Sequence, residues 1–305
     1  MIVKSLKLNQ FRNYESLQLS FDKGTNLFYG NNAQGKTNIL EAVYLCGTTK
    51  SHKGSKDREM IRFGEEEAHI RMAISRSQSA YEIDMHLKKN RPKGIAVNGV
   101  PIRKAAELLG IANFVFFSPE DLGIIKNGPA ERRRFMDMEL SQLDKIYLSN
   151  LINYNKVVNQ RNKLLKELSF KSSEEKLETL DIWDLQLVKY GTEVMKRRVG
   201  FVQELNEIIG GLHEKLSGGT EKLTIEYQPC VEETTFLDTV TKMRERDLRM
   251  KSTCFGPHKD DLIFFINGSE VRFAGTAAYS RPVFKTCGNR TCKKSSEGYA
   301  GAAFG

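Results

Sequence analysis

The sequence predicts an α/β fold with an inserted lobe of helices, and three observations carry this prediction. A glycine-rich phosphate-binding motif lies near the start of the chain, at residues 30–37. Short segments that alternate apolar and polar residues surround this motif over residues 1–118 and predict strands. No proline occurs between Pro129 and Pro229, which permits long helices in residues 119–250.

The motif has the pattern G-x-x-x-x-G-K-[ST] of a phosphate loop. We expect a short buried strand at residues 26–29 to enter it and a helix at residues 37–45 to leave it. Glycines let the backbone wrap a phosphate, and the N–H groups at a helix start attract an anion. Lys36 is predicted to reach the β- and γ-phosphates of ATP, and Thr37 to ligate Mg²⁺. The predicted ATP-binding residues are Gly30, Asn31, Asn32, Ala33, Gln34, Gly35, Lys36 and Thr37.

Residue spacing predicts the elements on either side of the motif. Alternation predicts strands at residues 68–74 and 81–87, and an Asn-Gly pair predicts a hairpin at residues 95–102. Together these strands predict a mixed sheet. Apolar residues three, four and seven apart predict one long helix at residues 180–208, after one or two helices at residues 135–168. This helix is expected to end at Gly210-Gly211 and residues 217–219.

Three further groups of residues each allow two interpretations. Arg12 follows the first strand and either bends toward a nucleotide at the phosphate loop or lies in a surface turn. His258 precedes two carboxylates, Asp260 and Asp261, which suits either a metal or general-base site or a turn whose Asp residues cap the backbone.

Three consecutive arginines, Arg132, Arg133 and Arg134, are too close in sequence to share one helical face. One could pair with Asp137 while another contacts a phosphate or the other lobe. The simpler interpretation is a salt-bridge cluster at a helix start, with Pro129 in the first turn.

Composition indicates a globular protein and excludes several classes. Of 305 residues, 40% are hydrophobic and 28% charged, and no stretch approaches the roughly 18 apolar residues of a membrane span. The first residues read as a strand without a signal-peptide core, and five cysteines show no disulfide spacing, so we expect a cytoplasmic location. The net charge is +9, but residues 271–305 hold six basic residues and one acid, or +5. Residues 1–270 therefore carry a net charge of only +4, which gives little support to DNA binding.

The motifs together resemble the bacterial RecF family of DNA repair and recombination proteins. The resemblance runs from residue 1 to about residue 270 and includes residues 9–14, 30–37, 118–137 and 256–262. It implies an ABC-type ATPase head similar to those of SMC and Rad50 proteins, with ATP-dependent dimerisation. It also implies binding to single-stranded or gapped DNA, cooperation with RecO and RecR in loading RecA, and roles in fork maintenance and the SOS response. By the same analogy, Arg12 is expected near the γ-phosphate.

The chain departs from the family pattern after residue 270. The family has a signature segment, Phe-Gly-Ser-Gln-Gly-Gln-Gln-Arg-Thr, and an apolar strand that ends in acidic residues and supports Mg²⁺. Residues 271–305 contain neither and have no Leu or Ile. One permitted coding of residues 273–288, read one base out of phase, spells the signature. We therefore hypothesise a shifted reading frame that leaves a truncated family member with a non-native, disordered tail.

The predicted organisation follows from these observations. Residues 1–118 and 251–270 are expected to form an incomplete ATPase lobe, and residues 119–250 a helical lobe. Without the signature and the acidic strand, ATP hydrolysis and ATP-dependent dimerisation are expected to be impaired. The alternatives are a structural SMC/Rad50-like chromosome protein, for which the helical lobe is too short, and a small-molecule kinase with the same loop.

Overall fold

The computed structural model describes residues 1–76, 79–170 and 173–271, and these residues form two compact units. The first unit spans Met1–Pro119 and the second begins at Glu120. The hypothesis of a non-native tail concerns residues that, apart from Val271, lie outside the described ranges.

The first unit is a six-stranded antiparallel sheet with one helix on its inner face. The strand order is β2-β1-β3-β4-β5-β6. Both long strands and the Asn-Gly hairpin predicted from the sequence are present, and Asn98 and Gly99 adopt the positive φ angles that such a turn requires. The elements are β1 (Ile2–Phe11), β2 (Tyr14–Ser20), α1 (Lys36–Thr48), β3 (Glu67–Arg76), β4 (Ser79–Lys88), β5 (Arg91–Val97) and β6 (Val100–Pro101).

Helix α1 packs on the sheet because its apolar residues recur on one face. Ile39, Ala42 and Leu45 are buried and belong to one core with the inward-facing residues of β1, β3 and β4. In β3 and β4 these buried residues alternate with more exposed ones, because the other face of the sheet contacts solvent. The core therefore holds the start of α1, where the phosphate motif ends, against a rigid sheet.

The predicted strand at residues 26–29 is wrong for the described structure. These residues have no regular secondary structure, and Leu27 and Tyr29 are 75% and 88% exposed. An isolated extended segment cannot satisfy its backbone groups in a sheet without a neighbour. No described strand pairs with this segment, so only Phe28 packs against the core, while Leu27 and Tyr29 face solvent.

The second unit is mainly helical. A small antiparallel sheet in the order β7-β8-β9 packs with α3 and α5 around a second core. The elements are α2 (Gly123–Lys126), α3 (Pro129–Leu143), α4 (Lys145–Leu168), α5 (Glu174–Leu216), β7 (Leu223–Gln228), α6 (Phe236–Lys242), α7 (Arg244–Met250), β8 (Asp261–Ile266) and β9 (Ser269–Glu270).

The long helix predicted from apolar spacing is α5, and it is longer than predicted. It runs for 43 residues, and Gly210-Gly211 lie inside it rather than at its end. Each glycine costs about 1 kcal/mol in a helix interior, but Ile209 and His213 are buried in this turn, and their packing outweighs that cost. The helix stops at Ser217, before Gly218 and Gly219, both of which have positive φ.

Residues 251–270 do not join the first unit, in contrast to the predicted domain division. Strand β8 pairs with β7 over six residues and contacts α3, so its apolar residues enter the second core. Every strand ladder in the described residues is antiparallel, and the parallel part of the expected mixed sheet is not found there. No helix in these residues is both long and apolar enough to cross a membrane.

Candidate nucleotide-binding site

The phosphate motif forms an exposed loop that passes directly into α1. Gly30, Ala33 and Gly35 have φ angles of 140°, 64° and 93°. Gly35 is the N-cap of α1 and leaves the first turn of the helix open to an anion. The sequence therefore folds here into the tight, anion-accepting turn that the motif predicts.

The side chain of Lys36 curls back over the loop. Its Nζ donates hydrogen bonds of 2.8 Å to the carbonyl oxygens of Gly30 and Asn31. These partners are neutral, so the ammonium charge is oriented without being cancelled by a carboxylate. Together with the exposed Thr37 hydroxyl at the helix start, this donor set fits a nucleoside triphosphate and its Mg²⁺.

Two residues of the β1–β2 hairpin support the backbone of the phosphate loop through hydrogen bonds. The Asn13 amide and the Tyr14 hydroxyl donate to the carbonyl oxygen of Gln34 at 3.2 and 3.1 Å. Asn38 in the first turn of α1 donates to Asn13 at 2.9 Å. A Cβ placed on Gly35 would lie only 2.5 Å from the Asn13 side chain, so glycine is required by this close approach as well as by its φ. Sequence reasoning singled out this hairpin only for Arg12 and missed the supporting role of Asn13 and Tyr14.

Arg12 is held by a carboxylate of α1. Its guanidinium forms a bidentate ion pair with Glu41, with hydrogen bonds of 2.8 and 2.7 Å. It also donates hydrogen bonds to the Ser55 hydroxyl and to the Glu59 carbonyl oxygen. Burial alone would raise the pKa of Glu41, but the hydrogen bonds from Arg12 and Ser51 outweigh burial and hold that pKa below its ordinary value. Arg12 is thus neither a loose surface residue nor an unpaired cation.

An open groove adjoins the loop within the first unit. Arg12, Asn13 and Asn38 form its side nearest the loop. The rest of its lining includes four cations and two carboxylates: Lys53, Arg58, Arg62, Lys89, Glu59 and Glu65. Phe63 lies fully exposed at the same groove. The groove therefore combines positive charge with one apolar ring next to the predicted phosphate site.

The three consecutive arginines have separate roles in the second unit. Arg132 is buried and pairs with both carboxylate oxygens of Asp261, at 2.5 and 3.0 Å. Arg133 donates to the Asp260 carbonyl, whereas the Arg134 side chain is 47% exposed beside Glu131. The predicted pairing of one of them with Asp137 is wrong, because Asp137 pairs with Arg198 of α5 at 2.8 Å. Of these three arginines, which were the candidates for contact with DNA or with the other lobe, Arg132 is paired in the interior and Arg134 faces solvent.

His258 and the two following carboxylates form a structural turn. The His258 ring bonds to the Tyr154 hydroxyl at 2.6 Å and the Thr253 carbonyl at 3.0 Å. Burial lowers the pKa of His258 to about 4. Asp260 accepts from the backbone N–H of Cys230 and from the Tyr227 hydroxyl. Of the two interpretations left open, these contacts favour the turn over a metal or general-base site.

Comparisons with known proteins give one consistent result. A family model described as an AAA domain matches residues 5–208. The chain is 59% identical to a DNA replication and repair protein RecF of Lachnospira eligens, over 92% of this chain and 77% of the relative. The RecF protein of Clostridium perfringens is 38% identical over 92% and 78%. A solved structure of a recombination mediator RecF with ATP superposes with a TM-score of 0.87 at 34% identity, covering 92% of this chain and 77% of that one.

Fold and site together define a phosphate-loop ATPase head of the ABC type. The sequence identities, which extend over more than three quarters of the relatives' length, then fix the particular branch. The chain belongs to the RecF family of DNA replication and repair proteins.

Proposed function

We propose that this protein binds ATP at residues 30–37 and uses the bound nucleotide to control its hold on DNA. The observation that carries the proposal is the Lys36 ammonium, which neutral loop carbonyls orient at the start of α1. The similarity to a RecF structure determined with ATP supports the same assignment. ATP would add a polyphosphate where the charge of Lys36 has no carboxylate to cancel it.

Mg²⁺ is the proposed second ligand of the site. The Thr37 hydroxyl stands at the position of the motif that ligates Mg²⁺ in phosphate-loop proteins. The cation would lower the charge of the phosphates, and Lys53 and Arg58 of the adjoining groove would add to this effect. Arg12 would act through Glu41 and the shape of the hairpin rather than as an unpaired cation near the γ-phosphate.

DNA is the proposed macromolecular ligand, with RecO and RecR as partners. The support is the family itself, since relatives are named as DNA replication and repair proteins and the matching structure as a mediator in the RecFOR pathway. The DNA contacts would be made mainly to phosphates by exposed cations such as Arg134, so binding would weaken steeply with salt. Single-stranded or gapped DNA is the proposed substrate, and RecA loading the proposed outcome.

We also propose that this copy hydrolyses ATP poorly and dimerises weakly on ATP. The support is the sequence beyond residue 270, whose only acidic residue is Glu297. An ABC-type head needs acidic residues at the end of a buried strand to hold Mg²⁺ and orient water. Sequencing the gene across codon 270 tests the shifted reading frame behind this proposal. A gene that no one-base slip relates to its relatives would end the frame-shift hypothesis.

Nucleotide binding is tested with a fluorescent ATP analogue and Mg²⁺. Lys36→Ala removes the oriented ammonium, and we expect at least a tenfold loss of affinity, since hydrogen bonds to charged groups contribute about 1.5–3 kcal/mol. Lys23→Ala is the matched control, because Lys23 is an exposed lysine of the same unit outside the loop. Equal affinity of the parent and Lys36→Ala proteins would refute the ATP site.

DNA binding is tested by fluorescence anisotropy with gapped duplex, with and without ATP, at several salt concentrations. The proposal predicts salt-sensitive binding that ATP strengthens in the parent protein and not in Lys36→Ala. Phosphate transfer from ATP to a small metabolite, without DNA binding, would instead support the kinase alternative.

A further inference from the structure

The solvent-facing side of the first sheet carries a compact group of metal-ligating side chains. Glu67 and His69 lie on β3, and His86 lies on β4. One ligand atom from each of the three lies within 4.8 Å of the others. No other such group of three or more is found in the described residues.

The strand register creates this group. His69 stands directly opposite His86 in the β3–β4 ladder, and Glu67 is two residues away on the same face. The intervening residues Ala68 and Leu87 point the other way and are fully buried. The backbone under the three side chains is therefore fixed by the core on the opposite face of the sheet.

The ligand atoms of the three side chains already lie close together. The two imidazole rings stack with centroids 3.9 Å apart and planes inclined by 26°. The Nε2 atoms of both rings face the Glu67 carboxylate, at 2.8 Å for His86 and 3.8 Å for His69. Three atoms that can ligate a metal, once His86 Nε2 gives up the proton it shares with Glu67, thus share a single small volume.

We propose that Glu67, His69 and His86 form a binding site for a divalent transition-metal ion of the Zn²⁺ type. Two imidazoles and one carboxylate are a ligand set that zinc uses in open sites, with water in the fourth position. Bonds of about 2.0–2.1 Å in tetrahedral geometry place ligand atoms roughly 3.3 Å apart, so a separation of up to 4.8 Å closes with about 1.5 Å of relative movement between two side chains. This site includes no residue of the phosphate loop.

The surroundings leave room for the fourth ligand. Gly94 of β5 stands opposite His86 and presents no side chain. Asn9 of β1 stands opposite His69 and lines the same shallow pocket. The nearby charges are mixed: Arg71 is paired with Asp84 at 2.5 Å, while Lys7 lines the pocket and Lys88 stands opposite Glu67.

The test is titration of the full chain with Zn²⁺ alone, by calorimetry and by the shift in thermal unfolding. We expect the parent to bind and to be stabilised. His69→Ala, His86→Ala and Glu67→Gln are each expected to weaken that binding at least tenfold. Glu66→Gln is the matched control, since Glu66 is an adjacent exposed carboxylate that pairs with Lys89, and it should bind as the parent does.

A gain-of-ligand variant keeps the test independent of folding defects. Asn9→His would add a third imidazole opposite His69, and we expect at least tenfold tighter Zn²⁺ binding. The cysteines are distinguished with Co²⁺, because thiolate ligation adds an intense sulfur-to-metal charge-transfer band that this site lacks. Zn²⁺ affinity that is unchanged in the His69, His86 and Glu67 variants, or a Co²⁺ spectrum dominated by thiolate, would overturn the proposal.

Discussion

Two cations, one in each unit, are held in opposite ways. Lys36 of the first unit donates to two backbone carbonyls, which are dipoles without net charge. Arg161 of the second unit is fully buried between two carboxylates, Asp184 at 2.6 Å and Asp247 at 2.5 Å. Arg132 and Arg198 follow the same buried pattern.

This difference separates a cation that is available to a ligand from one that is used to build the fold. Carbonyl dipoles orient the ammonium and leave its charge to attract phosphate. Carboxylates cancel the charge of an arginine and make it part of the interior, where losing one member leaves the other uncompensated. The partner of a cation, rather than its residue type, indicates its role in this molecule.

The largest expected effect is the loss of Arg161. Arg161→Met leaves Asp247 buried without its cation and Asp184 with Arg244 alone, and we expect the free energy of unfolding to fall by about 3–5 kcal/mol. Urea denaturation measures it. Arg134→Met is the control and should change stability by no more than about 0.5 kcal/mol, because Arg134 is exposed. Similar losses of unfolding free energy in the two variants would show that Arg161 is not needed to hold the interior together.

A pH effect of about 3 kcal/mol is expected from His258. Burial lowers its pKa to about 4 in the folded protein, against 6.5 as its ordinary value. The unfolded chain therefore binds more protons between these values, and stability falls as the pH is lowered from about 6.5 to about 4. His258→Gln should flatten this part of the curve of unfolding free energy against pH. Burial raises the pKa of Glu139 to about 7, which stabilises the folded protein as the pH falls through the same window. Identical slopes in the parent and His258→Gln curves would therefore contradict the assignment.

A smaller effect on stability, of about 1–3 kcal/mol, is expected when the loop glycine is replaced. Gly35→Ala forces a Cβ against Asn13 and Tyr14 at a φ of 93°, so it should also abolish binding of the ATP analogue. Gly24→Ala is the matched control, since nothing lies within 4 Å of a Cβ there. Calorimetric unfolding and titration with the ATP analogue are measured for both variants. Equal stability and equal affinity of the two variants would show that the loop accommodates a Cβ at position 35.

The smallest effect is expected for Tyr14→Phe. This variant removes one hydrogen bond to the Gln34 carbonyl and keeps the ring. The expected loss is about 1 kcal/mol, or roughly fivefold in ATP affinity, because a neutral hydrogen bond contributes about that much. Titration with the ATP analogue measures it, and Tyr29→Phe, which alters an exposed tyrosine next to the loop, serves as control.

Local patterns in the sequence predicted much of this structure. Alternation located β3 and β4, the Asn-Gly pair located the hairpin, and apolar spacing located α5, since each pattern acts over a few residues. The phosphate motif located the loop for the same reason. The fold class is also confirmed.

Features that depend on distant partners could not be predicted in this way. Arg132 meets Asp261 across 129 positions of sequence, and nothing near Arg132 indicates which carboxylate it will find. The pairing of Arg12 with Glu41 and the support of Gln34 by Tyr14 are equally non-local. Residues 26–29 show the converse, because an apolar run becomes a strand only when a neighbouring strand accepts it.

The hairpin that supports the phosphate loop contains two residues in an unfavourable backbone conformation. Gln10 and Arg12 have φ angles of 53° and 54°, a left-handed conformation that costs a side-chain-bearing residue about 1 kcal/mol. The Glu41 carboxylate clamps Arg12 in this conformation, and Asn13 and Tyr14 follow directly in the chain. Neutralising that one carboxylate, by acid or by Glu41→Gln, is therefore expected to loosen the hairpin and, through Asn13 and Tyr14, the backbone of the phosphate loop.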